Sequence, residues 1–287
     1  MLPEPVRQRA EEIAGDKSSG AFPLALRVLD AYELLTGPLA ARETVNELHR
    51  TMRSVQPWMV AVRNASLLAK KLVVEGRSAE IGSLRERLLQ ARRTVATDAA
   101  GAIEGAERVV TLSYSTDVFE ALTRDGDAGG PRVYVCESRP LQEGVRLVAD
   151  LRRGGVEAFL VADAAGPTLV GRADAVLSGA DSLLRRGSLV NKIGTLSLAL
   201  ACREKGVPFL PLLEVLKLEL EGEKMVWEEE RRDPAELSPQ VEALNFYFEE
   251  VPSTMLDVLV NDAGTERPEK LIERFRTLAD LATFYLD

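Results

Sequence analysis

Histidine, cysteine and tryptophan are scarce here: the 287 residues contain one histidine, two cysteines and two tryptophans. Cys136 and Cys202 make neither a disulfide framework nor a paired metal-ligand motif. His49 alone supplies no imidazole cluster for zinc, so neither a metal nor an organic cofactor is expected. A GxSxG elbow is missing too, which leaves a hydrolase triad without support. No apolar run approaches the roughly 20 residues that span a bilayer, so no membrane segment is expected. The first stretch, MLPEPVRQRAEEIAGDKSSG, is too charged for a signal peptide, which makes a reducing cytoplasm the expected compartment. Basic residues are in deficit, 36 Lys and Arg against 45 Asp and Glu, and the net charge of −9 argues against direct binding of nucleic acid. A local basic pocket for a small anion is still compatible with that balance.

What is present is an ordinary globular mixture, 46% apolar and 28% charged, long enough for one large domain or two modest ones. Up to about residue 103 the apolar residues recur at three- and four-residue intervals. That spacing predicts helices over Phe22–Leu35, Arg42–Arg53, Trp58–Val74 and Leu84–Ile103. From Glu104 the pattern changes to short β-rich runs, Arg108–Ser113, Arg132–Glu137, Glu157–Asp163, Ala175–Asp181 and Val207–Glu214. Helical stretches Asp117–Arg124, Leu141–Arg153 and Val190–Lys205 separate most of them. The link Ala164–Arg172 has room for only a helical turn or two. The fold class is therefore α/β: a helical N-terminal domain over residues 1–103, then a Rossmann-like, mainly parallel sheet domain over 104–287.

In such sheets ligands collect beyond the carboxyl ends of the strands. The predicted strands end in Ser113, Glu137, Asp163, Asp181 and Glu214, and that coincidence marks a site. In LSGADSLLRRGSLVNKIGT the strand ending at Asp181 leads through Gly187 to a helix expected to begin near Asn191. Asn191, Lys192 and Thr195 at its first turn could hold an anion on free amides and the helix dipole. Equally, Asn191 caps the helix and Lys192 is solvated. In VYVCESRPLQEG the guanidinium of Arg139 could grip a phosphate, or pair internally with Glu137. Ser113 and Ser115 could bond a ligand, although capping is the default for Ser115. Cys136 and Cys202 read as buried apolar residues, and His49 as a surface or satisfied one. The acidic stretches Glu219–Glu223 and Glu228–Arg232 read as solvated loops.

Taken together, TLSYS, VYVCESRPLQEG, GADSLLRRGSLVNKIGT, VPFLPLLEVLKL and NFYFEEVPSTMLDVLVNDAG resemble the successive signatures of one superfamily over roughly Val109–Gly264. It contains the alpha, beta and delta subunits of eukaryotic translation initiation factor two B, methylthioribose-1-phosphate isomerase and ribose-1,5-bisphosphate isomerase. Weaker matches are SSGA at Ser18–Ala21 and QPWM at Gln56–Met59. The resemblance implies homodimers or higher assemblies through the C-terminal domain, where Asn245–Gly264 mixes aromatic and apolar residues.

It also implies an isomerase chemistry in which a cysteine and an aspartate shuttle protons between C1 and C2 of an aldose. The aspartate matches Asp181, but the cysteine falls on Ser113 and a neighbouring histidine on Leu112. Two family arginines fall on Ser19 and Gln56, and a family glutamine on Glu143. A serine hydroxyl is far less acidic than a thiol, and TLSYS, ESRP and LEVLKL are closer to the initiation-factor versions. The expectation is a regulatory protein, translation initiation factor-like, that binds a small phosphorylated ligand, a sugar or nucleotide phosphate, without isomerase activity. Ser113, Glu137, Arg139, Asp181, Asn191 and Lys192 would line its pocket. The alternatives are an isomerase of sugar 1-phosphates using Asp181, and an assembly subunit with a vestigial pocket.

Overall fold

The structure, a computed structural model, describes residues 2–16, 20–55, 59–124, 130–220 and 231–286. Ser19 and Gln56, with most of the two acidic stretches, lie outside the described residues. The chain opens with five helices: α1 (Glu4–Gly15), α2 (Ala21–Glu33), α3 (Arg42–Val55), α4 (Val60–Val74) and α5 (Ile81–Ala102). A strand–helix alternation follows: β1 (Arg108–Leu112), α6 (Thr116–Thr123), β2 (Arg132–Cys136), α7 (Glu143–Arg153), β3 (Ala158–Val161), α8 (Gly166–Val170) and β4 (Ala175–Ser178). Next come β5 (Ser182–Leu183), β6 (Leu189–Lys192), α9 (Thr195–Lys205) and β7 (Phe209–Leu213). The chain ends with β8 (Phe248–Val251), β9 (Leu259–Asn261), β10 (Gly264–Glu266), α10 (Pro268–Arg274) and α11 (Leu278–Leu286).

Two compact units result, one of residues 1–91, 215–220 and 274–287, the other of 92–214 and 221–273. The sequence boundary at residue 103 marks the end of α5, whereas the units divide within α5, after Ala91. The helical unit also takes in α11 and the turn at Val215–Lys217. Its core is the apolar stripes of α2 and α4, including Leu24, Val28, Leu68 and Leu72, all fully buried. Several polar groups inside it are paired, although the Asn64 side-chain oxygen is buried without a hydrogen-bond partner among the described residues. The Tyr32 and Ser66 hydroxyls lie 2.8 Å apart, and His49 Nδ1 lies 2.9 Å from the Ser66 oxygen. Asn64 donates its amide to the carbonyls of Leu216 and Leu218, each at 2.8 Å, and so ties the returning turn to α4. Arg63 adds an ion pair with Glu219.

The second unit holds a seven-stranded sheet in the order β10-β9-β7-β4-β1-β2-β3. Every pairing is parallel except that of β10 with β9. The apolar runs that predicted strands are continuous because both faces are covered. On one face Val109, Val133, Val135, Leu177 and Leu212 pack with Val95 and Ala99 of α5 and with residues of α6 and α7. On the other, Gly166 of α8 sits so close to the Cys136 sulfur and Leu198 of α9 that a methyl group there would collide with both. The order of the parallel strands is that of a dinucleotide-binding fold, reversing direction between β1 and β4. A second sheet, β5-β6-β8, is antiparallel.

Candidate functional site

Strand order reverses between β1 and β4, where the crossovers leave in opposite directions, the arrangement that in doubly wound sheets opens a crevice at the carboxyl edge. Val110 pairs with Val176, and β1 and β4 end at Leu112 and Ser178, so Ser113 and Gly179 are the first residues beyond the two strands. Ser113 itself is buried and adopts a left-handed φ of 59°, a conformation costly for a residue with a Cβ. Ser115 caps α6 by accepting from the Val118 amide at 3.4 Å, its default role. A methyl group on Gly179 would lie 2.8 Å from Ser115, so the turn leading to Asp181 lies directly against this cap.

Beyond β2 the turn is held by a neighbour. Asp163 accepts from the amides of Ser138 (2.7 Å) and Arg139 (2.8 Å). Glu137 receives the Gln142 side-chain amide at 3.4 Å. Arg139, expected to meet either a phosphate or Glu137, points its guanidinium at the Leu237 carbonyl, 3.1 Å away on the surface. Pro140 lies in the turn, and α7 begins only at Glu143. Cys136 is inert packing, its thiol pushed up to about 12 by burial and by Asp163.

The segment after Asp181 departs most from expectation. Asn191 and Lys192 are not the first turn of a helix but the end of strand β6, and α9 starts at Thr195. The cause is non-local: β6 pairs with β8, Asn191 opposite Glu249 and Lys192 opposite Phe248. Gly194, at φ 103°, then turns the chain into the helix. Asn191 donates to the Thr195 hydroxyl at 2.9 Å, so it braces this turn from the strand. Lys192 is neither solvated nor unpaired. Its ammonium lies 2.7 Å from a Glu143 oxygen and 5.0 Å from the ring centroids of both Tyr247 and Phe248.

The amides at the start of α9, expected to await a phosphate, are already taken. One oxygen of Glu249 accepts from Gly194 N at 2.7 Å and from Leu196 N at 2.8 Å. Burial raises the pKa of Glu249 above the carboxylate norm, against the pull of those amides. A Cβ on Gly194 would lie 3.6 Å from Leu112, so this helix start stands beside the end of β1, at the crevice. Sequence reasoning missed Glu249. Its position depends on the pairing of β8 with β6, which no local pattern announces. The strand-end region thus carries the buried Ser113, the Glu249 carboxylate on the α9 amides and the Lys192–Glu143 pair. Among the described residues, no three acidic, histidine or cysteine side chains gather as metal ligands. Among the same residues, no helix is long and apolar enough to cross a membrane.

A helical unit and a mainly parallel sheet of this order, with polar residues at its strand ends, define an α/β protein of the doubly wound class. The chain belongs to the initiation factor 2 subunit family, whose pattern it matches over residues 24–268. It is 31% identical over 225 residues to a putative translation initiation factor eIF-2B subunit 2-like protein of Pyrococcus furiosus, covering 76% of this chain and 80% of that one. It is 30% identical over 288 residues to a ribose 1,5-bisphosphate isomerase of Archaeoglobus fulgidus, covering 93% and 91%. The crystal structure of translation initiation factor eIF-2B from Pyrococcus horikoshii superposes with a TM-score of 0.79 at 25% identity, covering 94% of this chain and all of that one. The family therefore holds both initiation-factor-like proteins and sugar-phosphate isomerases.

Proposed function

We propose that the chain binds a small phosphorylated ligand, a sugar or nucleoside phosphate, in the crevice between β1 and β4. In this reading it acts as a regulatory member of its family and does not isomerise the ligand. The observation that carries the reading is the turn to Asp181 packed against Ser115, in the same strand-end segment that holds Ser113. Ser113 and Asp181 keep hydroxyl and carboxylate groups suited to sugar hydroxyls. Ser113 lacks the acidic thiol that the isomerase resemblance requires at that position, and an unactivated hydroxyl is a poor proton shuttle or nucleophile at neutral pH. Asp181, Asn191 and Lys192 border the crevice, with Glu137 and Arg139 on its far side. Assembly into homo-oligomers in the cytoplasm goes with this reading.

Isomerase action is the second reading. It is favoured by the retained Asp181, a candidate acid/base, and by the relative named for ribose 1,5-bisphosphate. Two measurements separate them. Sugar phosphates and nucleoside monophosphates should raise the melting temperature as their excess over Kd grows, and Asp181→Asn should change which of them does so. Aldose–ketose turnover of ribose 1,5-bisphosphate should be absent. Robust turnover abolished by Asp181→Asn would transfer the assignment to the isomerases.

A further inference from the structure

We infer that Tyr32, Ser66 and His49 form a proton chain of fixed direction that locks α3 onto α4, and that acid unlocks it by protonating His49. The three residues come from α2, α4 and α3, and all are buried. The Ser66 oxygen lies 2.8 Å from the Tyr32 hydroxyl and 2.9 Å from His49 Nδ1. Among the described residues these are the only hydrogen-bond partners of the three side chains. The Tyr32 proton therefore has one acceptor, the Ser66 oxygen. With that direction set, the Ser66 proton in turn has one acceptor, Nδ1 of His49. A bare Nδ1 obliges the neutral ring to carry its proton on Nε2. The opposite order would strand the Tyr32 proton in the core, at the full desolvation cost of an unmade hydrogen bond. A second proton on the ring breaks the chain. Nδ1–H then needs the Ser66 oxygen as its acceptor, and one of the two hydroxyl protons is left with none. The charges that reach the ring are all cations: Lys70 and Arg63 of α4, the latter paired with Glu219, and Arg53 of α3 itself. Among the described residues no carboxylate of α1 or α2 joins them. Turning His49 out to water relieves both costs, and the buried Val45, Leu48 and Met52 of the same helix lose cover with it.

His49 is the single histidine of the chain, so its ring signals are read without ambiguity in the full-length protein. Long-range proton–nitrogen NMR near neutral pH should show a protonated Nε2 and a bare Nδ1. A proton on Nδ1 would overturn the direction of the chain. Hydrogen exchange read by mass spectrometry, corrected for intrinsic rates, tests the lock. Arg42–Val55 should lose protection as the pH falls from 6.5 towards 4, by at most about tenfold per pH unit for one proton taken up, and should do so ahead of α9. Protection of α3 that ignores pH would overturn the lock. Ser66→Ala removes the donor that favours the neutral ring, so the His49 titration followed by the same NMR should move up by about one pH unit. Burial alone would hold it where it was, and an unmoved titration would overturn the part played by the chain. Should Ser66→Ala not fold, the double variant Tyr32→Phe/Ser66→Ala leaves no hydroxyl proton stranded and takes its place. These readouts involve no ligand, so they stand whatever becomes of the phosphate-ligand reading.

Discussion

His49 lies 2.9 Å from Ser66, buried between α3 and α4, with Lys70, Arg53 and Arg63 in electrostatic reach. Burial first, and those cations second, bring its folded-state value down to about 4 from the ordinary 6.5. The unfolded chain therefore takes up a proton that the folded chain refuses. Stability should be intact above pH 6.5 and fall as pH drops from there towards 4, at up to about 1.4 kcal/mol per pH unit. Urea midpoints measured across that window should show the loss, and His49→Gln should remove this part of the slope. If the variant keeps the whole slope, carboxylates elsewhere are responsible. Lys192 carries a second residue-scale expectation. Its side chain is 12% exposed and its partner Glu143 is 26% exposed, so the pair is sheltered. Lys192→Ala strands Glu143 and should cost about 1–3 kcal/mol of folding stability. Glu143→Gln in the same background should recover part of it, and simple additivity of the two would argue that the pair is not coupled. The presence of Asp181 and Lys192 was legible in the sequence. Their partners were not, because Glu143 and Glu249 are brought in by tertiary pairing.

Among the elements, five of the six parallel strands were legible because each is an unbroken apolar run such as RVVTL or FLPLL; the sixth, β9, is only three residues long and was not. Strands β5, β6 and β8 were not, since they are two to four residues long and owe their existence to one another. For the same reason the expected helix over Val190–Lys205 gives up its first five residues. Where the sequence spoke of glycine it did so ambiguously, and the structure resolves one case sharply. A Cβ on Gly144, in the first turn of α7, would run into the Cys136 carbonyl at the end of β2. That backbone cannot step aside without opening the turn at Glu137. Gly144→Ala should therefore cost about 3 kcal/mol or more, seen as a lower denaturant midpoint. A neutral result would mean that α7 can shift off the strand. In the helical unit the comparable device is Asn64, whose two bonds fix residues 216 and 218. Asn64→Ala leaves two buried carbonyls without that donor, at about 1–3 kcal/mol each at most.

At the scale of the whole molecule the remaining question is what covers its apolar surface. The segment Asn245–Gly264 was expected to exceed what a single chain could bury. The segment divides: Val251, Leu256, Leu259 and Val260 are buried within the second unit, whereas Phe246, Tyr247, Phe248, Met255 and Val258 are only half-buried. The two edges of the large sheet differ. β10 reads GTE, short and polar, a poor template for further pairing. β3 reads AFLV, pairs with β2 alone, and leaves Phe159 and Leu160 39% and 43% exposed on its opposite faces. Phe159 stacks on Tyr134 at 5.8 Å, with the Arg132 guanidinium 5.9 Å from its centroid, so the ring is held in place and presented. An edge of this kind attracts another strand unless something blunts it; here Arg152 donates to the Ala158 carbonyl at 2.8 Å and lies 6.0 Å from the Phe159 ring, while Glu157 pairs with Arg132, so only the part of the edge beyond Ala158 is left open. The homodimer implied by the family resemblance is therefore expected to form along β3. Light scattering at micromolar concentration should return twice the 31.4 kDa chain mass, and Phe159→Lys should return 31.4 kDa with an unchanged circular dichroism spectrum. A wild-type particle of 31.4 kDa would defeat the dimer itself. A dimer that survived Phe159→Lys would move the interface off this edge, with the α7 surface around Leu141 and Val145, 43% and 47% exposed, next in line.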